Sequence, residues 1–104
     1  MKFDFNEYVK YRGKQFEKLF KGKKKITYIT DPKKWLKLVP EDKKNVKQRD
    51  GLAIKEGYVF VSQKIPSISR LDAVILEEVA HVYNWKWTEH RTRRFVKKVL
   101  GLNE

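Results

Sequence analysis

Apolar positions recur at helical spacing at both ends of this chain and at strand spacing between them. Phe5, Tyr8, Val9, Phe16, Leu19 and Phe20 predict an amphipathic helix over 4–21, with Gly22 placed to stop it. Lys23-Lys24-Lys25 reads as a solvated turn. The β-branched and aromatic run Ile26-Thr27-Tyr28-Ile29-Thr30 reads as a strand. Asp31-Pro32 then supplies a cap and a first-turn proline for a short helix carrying Trp35, Leu36 and Leu38, ending before Pro40.

Residues 41–50, EDKKNVKQRD, read as a long surface loop. Leu52-Ala53-Ile54 and Tyr58-Val59-Phe60-Val61, joined by Lys55-Glu56-Gly57, predict a β-hairpin. Its second strand is apolar on both faces and therefore covered on both. From Ser69, whose Ser69-Arg70-Leu71-Asp72 resembles a capping box, an apolar stripe of Leu71, Val74, Ile75, Val79 and Val82 predicts a helix ending near Asn84. Thr88 caps a last helix with Phe95, Val96, Val99 and Leu100 inward and Gly101 at its end. The expected fold class is α+β. A small antiparallel sheet of about three strands packs with an N-terminal helix and two C-terminal helices, in a single domain over 1–104.

Composition narrows the function classes. The chain has 104 residues, 40% of them hydrophobic, with 3 Trp, 5 Tyr and 6 Phe, enough for one core. No apolar run approaches the roughly 20 residues that span a bilayer, and Met1-Lys2-Phe3-Asp4 lacks a signal-peptide pattern. The expectation is a soluble intracellular protein with no membrane partner. Zero Cys excludes disulfides and thiolate metal sites, so any transition metal must be held by His and carboxylate. The five Gly are scattered, giving no phosphate-binding loop, and no Ser lies in a nucleophile motif.

The chemistry-bearing residues concentrate late in the chain. In Leu76-Glu77-Glu78-Val79-Ala80-His81, residues 77 and 81 project from one helix face one turn apart, with Glu78 beside them. The second histidine, His90, falls in the first turn of the next helix, where a tight connection would return it over the first pair. Both histidines and two glutamates then converge, with Glu78 where a general base is wanted. The plain alternative is that Glu77 and Glu78 form a solvated helix edge and His81 a pocketed or paired imidazole.

From the hairpin onward the sequence resembles zincin-type metallopeptidases, especially the small SprT-like branch, in which a strand precedes a helix bearing H-E-x-x-H. The resemblance implies a minimal zincin-like fold and a zinc cofactor. It makes Glu78 the catalytic base, His81 the second ligand and His90 a third, with an unfolded or partner protein as substrate. It departs from the pattern at the first ligand, which is Glu77. Either Glu77 ligates, giving a His2Glu set, or the site has decayed in a fold kept for another purpose, and decay or weak metal binding is the favoured expectation.

Charge opens a second function class. Lys+Arg number 25 against 13 Asp+Glu, a formal +12. Such a surface attracts polyanions, although a Lys-rich surface also suits a thermophile protein. Arg91, Arg94 and Lys98 share a helix face, with Arg93 and Lys97 adjacent, and this stripe can follow phosphates. Trp87 or Trp85 can stack on an unpaired base, or can instead close the core between two helices. The alternative function is therefore a nonenzymatic DNA- or RNA-binding protein without sequence preference.

Overall fold

The computed structural model describes residues 3–39 and 49–101. Its elements are helix α1 (Phe5–Glu17), strand β1 (Thr27–Ile29), helix α2 (Pro32–Leu38), strands β2 (Gly51–Ala53) and β3 (Tyr58–Val61), and helices α3 (Ile68–Tyr83) and α4 (Glu89–Leu100). The α+β architecture holds: a three-stranded sheet packs with an N-terminal and two C-terminal helices. Most of the expected loop over 41–50 lies outside the described residues.

The sheet itself is mixed, which corrects the antiparallel expectation. Strand order is β1-β3-β2, with β2 antiparallel to β3 as the hairpin requires and β1 parallel to β3 (Tyr28 opposite Val59). The physical reason lies in β3. Val59, Phe60 and Val61 are at most 1% exposed, and a strand buried on both faces and both edges belongs in the middle. The hairpin places β2 on one side, leaving β1 the other.

Two apolar clusters cover the two faces. Val9 and Phe16 of α1, the inward stripe of α3 and Val96 of α4 pack against Val59 and Val61. On the opposite face Trp35 of α2 meets Phe60 (ring centroids 5.8 Å apart), with Ile29 and Ile54. Thus α3 rests on the sheet with a continuous apolar side, and Leu71, Val74, Ile75, Val79 and Val82 are all buried as their spacing predicts.

The helix ends obey local chemistry. Asp4, Asp31, Ser67 and Thr88 each accept a backbone N–H in the first turn of their helix. The α3 cap is Ser67 (Oγ to Arg70 N–H, 3.2 Å), two residues before the expected Ser69. Asp72, expected in the capping box, instead accepts from the Tyr8 hydroxyl at 2.5 Å and from Arg12 Nε at 3.2 Å, tying α3 to α1. On α4, Gly101 adopts φ +67° and ends the helix as expected, whereas Val99 is 39% exposed rather than inward.

Candidate metal centre

One side of α3, from Arg70 to His81, and the start of α4 line an open cavity of about 630 Å³ beside strand β2. The turn between the helices is tight: the Trp87 N–H donates to the Asn84 carbonyl at 2.9 Å, and Thr88 then caps α4. This connection sets the phase of α4. Thr92 and Val96 face inward, and Glu89, three residues before Thr92 and seven before Val96, lies on the same side.

Glu77, His81 and Glu89 consequently converge, each offering a ligand atom within 4.8 Å of the other two. His81 Nε2 lies 3.7 Å from Glu89 Oε1, with the imidazole only 17% exposed. Of the expected set, the structure brings Glu77, Glu78 and His81 to the cavity. His90 is exposed and outside this trio, and the residue beside it, Glu89, takes the place expected for it.

Glu78 sits deeper than the trio. Its residue is 8% exposed, and burial first, then the negative charges of Glu77 and Glu89, push its carboxyl up to about 8. Arg49 opposes that shift. The Glu77 carboxyl is also pushed upward, by burial and by the adjacent Glu89. His81 is pushed downward by burial, with Glu89 opposing, which favours the neutral imidazole that ligates metals.

Gly51 completes the pocket wall and was not legible as a functional position. A Cβ there would lie 2.9 Å from Glu78 Oε2 and 2.7 Å from Val74 Cγ1. Only a residue without a side chain lets the β2 backbone pass this close to the glutamate. Asp50, next to it, pairs with Arg70 of α3 at 3.0 Å and holds the start of β2 against that helix.

The expected nucleic-acid residues are divided. Arg91, Arg93, Arg94 and Lys98 are exposed on α4, and Lys97 is half-buried. Arg93 faces the cavity and lies 3.7 Å from Glu89. The Trp87 ring is engaged, with the Arg91 guanidinium 4.6 Å over it and Phe95 against it at 5.4 Å. Trp85, 43% exposed, lies at the cavity. Among the described residues no helix is long and apolar enough to cross a membrane.

Comparison of the chain with protein-family models, with curated proteins and with solved structures finds no match.

Proposed function

We propose that this protein is a small zincin-like, metal-dependent protein hydrolase in which Glu77, His81 and Glu89 hold a divalent cation and Glu78 handles the proton. The observation that carries the reading is the convergence of these three ligand atoms within 4.8 Å at a cavity that Glu78 also lines. The donor set fits zinc. One imidazole and two carboxylates are hard-to-borderline ligands, and donors on one tetrahedral zinc lie about 3.3 Å apart, within side-chain adjustment of the distances here. The resemblance in the second half of the sequence points the same way, with Glu77 ligating in place of the missing histidine.

A cation held here would polarise a substrate carbonyl and make a nearby water acidic. The chain supplies the rest. His81 offers its nitrogen from α3, and Glu89 closes the set from α4. Glu78 is wedged against Gly51 and Val74, so its carboxylate is held in one place to accept a proton and return it to the leaving amine. Strand β2 and the exposed Trp85 bound the space a substrate segment would occupy.

The test is zinc stoichiometry and cleavage of an unfolded protein, measured on the same preparations. Wild-type protein is expected to bind one zinc per chain and cleave. His81→Ala should lose both, and Glu78→Gln should keep zinc while losing cleavage. Zinc binding without any cleavage in the wild type would reduce the site to a metal-binding one, and absence of zinc binding would remove the proposal.

The exposed ridge of Arg91, Arg94 and Lys98 supports a second, nonenzymatic reading, in which the chain binds nucleic acid through phosphates alone. That reading predicts affinity that falls steeply with salt and weakens when Arg91 and Arg94 are replaced by Glu. Salt-independent binding would sink it.

A further inference from the structure

Among the described residues the sheet has a second edge, at β1, with a strand neighbour on one side only. The Thr27 N–H donates to the Gly57 carbonyl at 2.9 Å across the parallel pair. In a parallel ladder the alternate residue faces the other way, so the N–H and C=O of Tyr28 turn outward. A cleft of about 590 Å³ runs along this edge, floored by residues 26–30. Lys10 and Lys14 of α1 form one lip and Lys34 of α2 the other. The carboxylate in the lining, Asp31, is occupied in capping α2, accepting the Lys33 N–H at 2.9 Å. One end of the floor is closed: the Thr30 hydroxyl is bonded to Asn6, and its carbonyl accepts from Gln63 Nε2 at 3.0 Å.

We infer that this cleft docks an extended acidic peptide segment of a partner protein, which adds as a strand beside β1 and turns its carboxylates to Lys10, Lys14 and Lys34. Charge complementarity is direct, with three lysines lining a groove whose one acid is already engaged. Spacing agrees too. Lys10 and Lys14 are about 6 Å apart along the helix axis, and alternate side chains of a strand are about 6.7 Å apart.

Two features select a peptide over a nucleic-acid strand. The outward edge of Tyr28 offers both a donor and an acceptor, which a peptide backbone answers with both, whereas a phosphodiester brings acceptors only. Base stacking also lacks a platform in the cleft. The Tyr28 ring lies under Gly13, where an added Cβ would come 2.3 Å from it, and its hydroxyl donates to Glu17 at 2.8 Å.

Fluorescence anisotropy with a labelled extended peptide carrying Glu at successive positions, so that carboxylates face both lips of the cleft, tests this. The controls are its Gln-for-Glu counterpart, a counterpart with alternate backbone amides methylated, and a labelled oligothymidylate of equal charge. The acidic peptide should bind at least about tenfold more tightly than either altered peptide. Lys10→Glu with Lys14→Glu should cost at least about tenfold, and the milder Lys→Gln pair a smaller loss, with circular dichroism showing both folded. Arg91→Glu with Arg94→Glu should leave the preference for the acidic peptide over both altered peptides in place. Peptide binding indifferent to the lysines or to amide methylation would overturn the inference. So would oligothymidylate binding that depends on Lys10 and Lys14 while the peptide fails, or no binding of any probe. The measurement uses protein with His81→Ala alongside wild type, so its outcome is independent of the metal reading.

Discussion

Along β2 the sheet edge runs beside Glu77, Glu78 and Glu89. Along β1 it runs beside Lys10, Lys14 and Lys34. The acids are gathered by packing: α3 presses Glu78 to 8% exposure beside the half-buried Glu77, and α4 brings Glu89, itself 65% exposed, over His81, so like charges meet around one buried carboxyl. The lysines stand in solvent, two on α1 and one on α2, and bulk water screens them from one another. Excess charge on the lysine side costs little and draws in an anion. On the acid side the charge is unfavourable until a proton or a cation neutralises it. A protein with formal charge +12 thus places its concentrated acid in one half-enclosed spot, and that contrast is the strongest argument that the β2 edge is chemical and the β1 edge adhesive.

The contrast can be broken most sharply at Glu78. With metal bound, Glu78→Gln should lower turnover about 10²–10⁴-fold while leaving metal affinity nearly unchanged, read by steady-state kinetics beside calorimetry. Equal loss of both would show Glu78 to be a ligand or a structural prop.

Proton dependence sharpens the same point. In metal-free protein the Glu78 carboxyl, raised to about 8 from an ordinary 4.5, binds its proton more tightly folded than unfolded. Its contribution is therefore fully present at low pH and is lost as pH rises from about 4.5 to about 8, a change on the order of a few kcal/mol. His81 acts oppositely, because its lowered folded pKa withdraws stability as pH falls through its range. Denaturant titrations across this window should show the metal-free protein weakening toward pH 8, with Glu78→Gln flattening the trend and added zinc reversing it. An unchanged slope in Glu78→Gln would assign the trend elsewhere.

Smaller effects follow from packing. Gly51→Ala should cost about 1–3 kcal/mol, since its Cβ must displace Val74 or the Glu78 carboxylate, and it should weaken zinc binding with it. Asp72→Asn should cost about 1–2 kcal/mol by weakening the tie to Tyr8 and Arg12, with no effect on metal. A loss of metal affinity in Asp72→Asn would mean that the α1–α3 contact positions the site.

Periodicity made α3 legible, because its stripe faces a single core, and with it the relation of Glu77, Glu78 and His81. It did not reveal the strand order, since alternation along β1 carries no information about which neighbour it pairs with or in which direction. His90 is the third member expected from a tight return between the helices and from the resemblance, which sets a further ligand beyond the first helix. Helix phase gave the better signal: Val96 was already assigned inward, and seven residues earlier on that face is Glu89. Gly51 falls between the loop expected over 41–50 and the strand expected from Leu52, where nothing local betrays that the Glu78 carboxylate packs against it.

Zinc titration of Glu89→Ala against His90→Ala decides whether Glu77, His81 and Glu89 form one site. Glu89→Ala is expected to lose at least about 100-fold in affinity while His90→Ala binds as wild type. Loss in His90→Ala with Glu89→Ala unaffected would contradict it and return the third ligand to the histidine.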